Sequence, residues 1–187
     1  MTDDRRKTSA PSGRSHWAEL GMCFLLVPLL AAQSPPKPET VVTLRAQPAQ
    51  LRLVPGGTAT LKLQVEIIPG FHINSEKPLQ SYLIPTEVFL PAAPNGPSEF
   101  ELVGAKFPKA ELKTFDFAPD EKLAVYEGTI EVALTLRARP ETKPGSRKLA
   151  LGVRYQACND EICLRPAERQ LTLTVQLQAT AARKPRH

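Results

Sequence analysis

The chain has 187 residues, a formal net charge of +5 and 42% hydrophobic residues. That is length for one domain plus a leader, with enough apolar residues for a real core. Nucleic acid is excluded as a partner, because no basic stripe interleaves with aromatics and three basic residues simply crowd the tail Arg183-Lys-Pro-Arg186.

Residues 1–32 read as a secretory signal peptide. Arg5, Arg6, Lys7 and Arg14 form a basic start, and Leu20 to Ala32 runs apolar apart from Gly21 and Pro28. The small pair Ala31-Ala32 then precedes a polar, proline-rich linker at 33–39. The apolar run is shorter than the roughly 18 to 20 residues that span a bilayer. Cleavage near Ala32 and a periplasmic or secreted location are therefore expected, with the membrane a partner only if the leader stays uncleaved. Arg5-Arg6 lacks the hydrophobic residue that follows a twin-arginine pair, and Cys23 opens the apolar run rather than closing it as a lipoprotein cysteine would.

A single domain is expected over residues 40–178, with a basic tail at 179–187. Its period is two. Leu61, Leu63, Val65 and Ile67 alternate with polar residues, as do Ile130, Val132, Leu134 and Leu136. Leu149, Leu151, Val153 and Tyr155 make a third such run, and Leu171, Leu173, Val175 and Leu177 a fourth. Strict alternation predicts strands with one face buried and one wet, the pattern of antiparallel sheets. Weaker strands are expected near Val41 to Arg45, Leu51 to Val54, Glu87 to Leu90, Glu99 to Val103 and Leu123 to Glu127. Pro55-Gly-Gly57, Pro69-Gly70, Pro94-Asn-Gly-Pro97 and Pro144-Gly145 supply turns between them. Nineteen prolines weigh against long helices, and only Ala110 to Thr114 reads as a short helical turn. The expectation is an all-β, immunoglobulin-like antiparallel sandwich of about nine strands.

Two cysteines remain once the leader is set aside, Cys158 and Cys163, within Tyr155-Gln-Ala-Cys-Asn-Asp-Glu-Ile-Cys-Leu-Arg-Pro166. A bond between them would close a ring of six residues, worth about 2 kcal/mol in the chain-entropy treatment against about 4.7 for a 100-residue loop. A sandwich in need of a staple joins its two sheets through distant cysteines instead. Four strong strands already bury enough apolar surface to fold without it, at roughly 1.5–3 kcal/mol per large side chain. Redox exchange, a local staple and metal binding all stay open on spacing alone. Two thiolates fall short of the four ligands zinc takes, so no metal and no cofactor is expected. His72 reads as a packed or turn residue. Asp160 and Glu161 lie inside the ring and would raise the thiol pKa by like-charge repulsion, while Arg165 acts in the opposite sense.

The segment Val153-Arg-Tyr-Gln-Ala-Cys-Asn-Asp-Glu-Ile-Cys-Leu-Arg-Pro166 resembles the active-site stretch of the N-terminal periplasmic domain of the thiol:disulfide interchange protein DsbD. Pro69-Gly-Phe-His-Ile-Asn74 and Tyr82-Leu-Ile-Pro-Thr-Glu87 resemble an earlier stretch of the same domain. The resemblance implies an immunoglobulin-like sandwich whose two cysteines shuttle between dithiol and disulfide. It implies that Cys163 forms the mixed disulfide with a partner and Cys158 resolves it. Thr114-Phe-Asp-Phe-Ala-Pro-Asp-Glu121 takes the place of a cap loop, with Phe115 or Phe117 as the shielding ring and Tyr155 beside the pair; ordinary core packing is the other reading of these rings. Partners would be thioredoxin-like proteins or a separate membrane electron carrier, since the sequence carries no transmembrane bundle and no Cys-x-x-Cys of its own. The alternative function is a non-catalytic binding or adaptor module that keeps the sandwich and uses the disulfide as a clamp.

Overall fold

The computed structural model describes residues 35–93 and 98–179. The expected leader, the Pro94-Asn-Gly-Pro97 turn and all but the first residue of the tail lie outside the described residues. After a 3-10 turn at Pro38–Thr40, the strands run β1 (Val42–Gln47), β2 (Gln50–Leu53), β3 (Thr58–Ile67), β4 (His72–Asn74), β5 (Glu87–Phe89) and β6 (Phe100–Lys106). They continue as β7 (Glu111–Phe115), β8 (Ala118–Glu127), β9 (Thr129–Ala138), β10 (Gly145–Tyr155), β11 (Ala157–Cys158) and β12 (Ala167–Leu177). Among the described residues no helix is long and apolar enough to cross a membrane.

Two four-stranded sheets, β1-β3-β9-β6 and β2-β12-β10-β5, form the sandwich. The alternating runs explain why. On β3, Leu61, Leu63, Val65 and Ile67 are buried while Lys62 and Glu66 are exposed. Val132, Leu134 and Leu136 of β9 are buried on the same pattern, as are Leu149, Leu151, Val153 and Tyr155 of β10. Side chains of both sheets join in one apolar cluster that includes Leu63, Leu134, Leu151 and Val175. Every neighbouring pair is antiparallel except β2 and β12, which run parallel from Gln50↔Thr174 to Leu53↔Leu177.

The all-β, immunoglobulin-like expectation holds, and each of the nine expected strands is present. The strand count among the described residues is corrected to twelve, because three short strands carry too few residues to show a period: β4, β7 and β11. With β8 they make a third sheet, ordered β11-β4-β8-β7, in which β4 and β7 flank β8 and β11 pairs with β4. The helical turn expected at Ala110 to Thr114 is a second correction. Glu111, Leu112 and Lys113 pair with Val125, Ala124 and Leu123 of β8, so tertiary pairing overrides local propensity.

Two proline-glycine turns behave as their sequence predicts. Gly56 has φ 75° and Gly57 N–H donates to the Val54 carbonyl at 2.9 Å. Gly70 has φ 81° and Phe71 N–H donates to Ile68 at 3.3 Å. Proline followed by a left-handed residue is the signature of a type II turn, and glycine takes that position without a Cβ clash. The second turn matters for function, because it swings the chain from β3 of the sandwich directly into β4.

Candidate functional site

Cys158 and Cys163 are joined, with sulfurs 2.06 Å apart and Cα atoms 4.0 Å apart. They face each other as an isolated antiparallel bridge. The hydrogen bonds lie on either side of the pair, from Leu164 N–H to the Ala157 carbonyl at 2.8 Å and from Asn159 N–H to the Ile162 carbonyl at 2.9 Å. The cysteines therefore occupy a non-hydrogen-bonded position, where antiparallel strands approach most closely. Asn159 organises the tip: its Oδ1 accepts from Glu161 N–H at 3.0 Å and Ile162 N–H at 2.7 Å, the Asx pattern that shapes tight turns. Gln156 Nε2 donates to the Leu164 carbonyl at 3.2 Å and braces the base. Neither amide stood out in the sequence; Asn just after a cysteine, with polar residues following, was the available signal.

The two sulfurs live in different surroundings. Cys158 is 1% exposed, whereas Cys163 belongs to an exposed stretch with Asp160, Glu161 and Ile162.

The third sheet holds Cys158 by its neighbours. Cys158 is paired with His72 of β4, and His72 with Glu127 of β8. Directly opposed residues of antiparallel strands share a face, so Cys163, Cys158, His72 and Glu127 form one row across the sheet. Lys113 of β7 donates to Glu127 Oε2 at the end of that row. The other face of the sheet carries Ile73, Tyr126 and Ala157, all part of the main core. The row is fixed from β4 onward as well: Asn74 Nδ2 donates to the Ile84 carbonyl at 2.9 Å, and Thr86 Oγ1 donates to the Asn74 carbonyl at 2.6 Å.

The expected cap segment forms the β7–β8 hairpin, turning at Asp116 and Phe117. Phe115 is 8% exposed and packs with Leu123, Val125 and Leu83. Its ring stacks on His72 at 4.1 Å between centroids, and Phe117 stacks on Phe115 at 5.5 Å. Phe117 itself is 44% exposed. The hairpin thus stands over the imidazole next to Cys158, and Cys163 stays open. Asp160 joins the row: with His72, Phe115 and Glu127 it lines a pocket of ≈ 290 Å³. Glu161 points to solvent. Tyr155 lies elsewhere, fully buried in the sandwich with its hydroxyl donating to the Pro38 carbonyl at 2.8 Å; burial pushes its pKa up to about 12. Among the described residues no group of three or more His, Cys, Asp or Glu side chains converges on a metal position.

His72 is the residue whose place the sequence did not reveal. It is 2% exposed, and its Nε2 has no hydrogen-bond partner. Burial lowers its pKa below the ordinary histidine value, opposed by the charges of Glu127 and Asp160 and assisted by Lys113. The native imidazole therefore stays neutral to lower pH than the unfolded one. Below about pH 6.5 the unfolded chain binds the extra proton and the fold loses stability, until the native imidazole protonates too. We expect the urea midpoint to fall between pH 7.5 and pH 5.5, and His72→Gln to flatten that change. An equal drop in the variant would assign the pH dependence to other groups.

The family model described as thiol:disulfide interchange protein DsbD, N-terminal, matches residues 39–175. The chain belongs to this family. Among solved structures, the N-terminal periplasmic domain of ScsB from Proteus mirabilis is similar at 14% identity and a TM-score of 0.47, over 71% of this chain and 45% of that one. The chain thus spans less than half the length of that ScsB chain. The seventh ScaB type I cohesin from Pseudobacteroides cellulosolvens is similar at 12% identity and a TM-score of 0.38, over 78% of this chain and 96% of the cohesin. Comparison with curated proteins finds no match.

Proposed function

We propose that this DsbD N-terminal family member is an exported exchange protein, passing electrons between a thioredoxin-like donor, or a separate membrane electron carrier, and periplasmic clients through Cys158 and Cys163. The observation that supports this reading best is the unequal exposure of the two sulfurs' residues, Cys158 buried and Cys163 open. In the reducing direction a donor thiolate attacks Cys163 Sγ, the Cys158–Cys163 bond breaks, and Cys158 leaves with the electron pair. The donor's second thiolate then attacks its own sulfur in the mixed disulfide, closing the donor's disulfide and freeing Cys163. Toward a client disulfide, Cys163 attacks first, and Cys158 then attacks Cys163 and expels the reduced client. Asp160 and Glu161, between the two cysteines in the chain, add negative charge to the ring and disfavour a free thiolate there, so exchange waits for a docked partner. The Phe115–Phe117 hairpin acts as the cap over the Cys158 side. No cofactor takes part, because the sulfurs carry the electrons.

The reduction potential tests this. Equilibration in glutathione or dithiothreitol buffers, followed by alkylation of the freed thiols, is expected to place the couple above about −300 mV. A value well below that would make the bond a structural clamp and the domain a binding module.

A further inference from the structure

We propose that His72 is the proton-transfer group of the exchange site: it takes the proton from the Cys158 thiol as that sulfur resolves a mixed disulfide on Cys163, with Glu127 as the residue that positions and polarises it. This role rests on the exchange reading above and adds a group that the sulfur chemistry requires.

The requirement comes from burial. Cys158 is 1% exposed, and a thiol in such a place keeps its proton, because desolvation penalises the thiolate. Only the thiolate attacks a disulfide, so water alone serves Cys158 poorly. The register supplies the base. Cys158 is directly opposite His72, and His72 directly opposite Glu127, on one face of the sheet. A nucleophile, a base and a carboxylate that orients the base are the ordinary parts of an activated nucleophile. The imidazole is kept neutral by burial, so it is ready to accept. Its Nε2 is buried with no protein hydrogen-bond partner, so its lone pair or proton is not committed to another side chain. Phe115 stacks on the ring and holds it in place. The charged groups around it are Glu127 from β8, Lys113 from β7 and Asp160 from the hairpin tip. The two carboxylates favour the imidazolium formed by the transfer, and the pocket of ≈ 290 Å³ beside them lets the proton leave to water.

The step balances. Cys158–SH gives its proton to His72, and the thiolate attacks Cys163 Sγ. The Cys158–Cys163 bond forms, the bond from Cys163 to the client breaks, and the client sulfur departs with the electron pair. The imidazolium then loses its proton through the pocket. In the opposite direction the same group returns a proton to Cys158 as it leaves.

The test follows the resolving step alone. The purified, reduced full chain is mixed with excess glutathione disulfide, quenched in acid at intervals and weighed by mass spectrometry. Glutathione first joins Cys163, and the adduct then decays as Cys158 attacks; the first step is the internal control. Decay in the unaltered protein is expected to level off across neutral pH. His72→Gln should slow it by about 10²-fold at pH 7 and leave it climbing about tenfold per pH unit with the thiolate fraction. Glu127→Gln keeps the imidazole but removes a charge that favours its protonation, so the levelling should move to lower pH. Decay of the His72→Gln adduct at the unaltered rate, or an unmoved profile in Glu127→Gln, overturns the role of His72 and leaves exchange standing. Failure of glutathione to join Cys163 in the unaltered protein overturns both.

Discussion

Replacing Cys158 by serine is expected to turn this protein into a trap for its partners. In the Cys158→Ser variant the exposed Cys163 thiolate still attacks the disulfide of an oxidised thioredoxin-like protein. One partner sulfur leaves, and the mixed disulfide persists because a serine hydroxyl does not attack a disulfide. The reciprocal variant, Cys163→Ser, should trap nothing, since Cys158 is 1% exposed and a partner's disulfide does not reach it. Incubation with extract of the source cell, non-reducing electrophoresis and mass spectrometry of the shifted bands read the result. The difference is all or none. Equal capture by both variants, or no thioredoxin-like protein in the Cys158→Ser complexes, would overturn the assigned order of attack.

Leu134→Ala should be far more damaging to the fold than loss of the disulfide. Leu134 is 0% exposed on β9, which is flanked by β3 and β6 in the first sheet. Truncating a fully buried leucine costs about 2–5 kcal/mol, a large share of the roughly 5–15 kcal/mol that holds a domain together. Opening the small Cys158–Cys163 ring removes about 2 kcal/mol at most in the chain-entropy treatment. The urea midpoint of Leu134→Ala in oxidising buffer should therefore lie below that of the unaltered protein under reductant. The reverse order would mean that the sulfur bond carries the fold, and the exchange reading would lose its scaffold.

What could be read from the sequence divides along the sheets. Eight of the nine expected strands build the sandwich, and the ninth, β8, lies in the third sheet; β3, β9, β10 and β12 read most clearly because each has one wet face and so alternates. The third sheet is covered on both faces. Leu123, Ala124, Val125 and Tyr126 of β8 are all buried, so that strand shows an unbroken apolar run instead of an alternation. β4 has three residues, all buried, and β11 has two; neither is long enough for a period to exist. The cysteines were legible as chemistry because only two lay outside the expected leader. His72 was not, because its meaning is a register: it is set opposite Cys158 by pairing between residues far apart in the chain, and no local pattern records that. Phe115 and Phe117 were singled out as candidate shielding rings of a cap, yet most of the strand that carries Phe115 read as a helical turn.

The hairpin tip has one more consequence. None of its hydrogen bonds uses sulfur: Leu164 to Ala157, Asn159 to Ile162, and the two accepted by Asn159 Oδ1 are all independent of the S–S link. When the bond opens, these contacts keep the two thiols side by side. Each then meets the other at a very high effective concentration, of the kind that makes intramolecular reactions outrun any encounter in solution, with effective molarities of about 10⁵–10⁸ M in well-oriented cases. A client held on Cys163 thus competes against a neighbour that never diffuses away. Release becomes the fast step, and the lifetime of any complex is set by how well the partner's surface, rather than its sulfur, holds on.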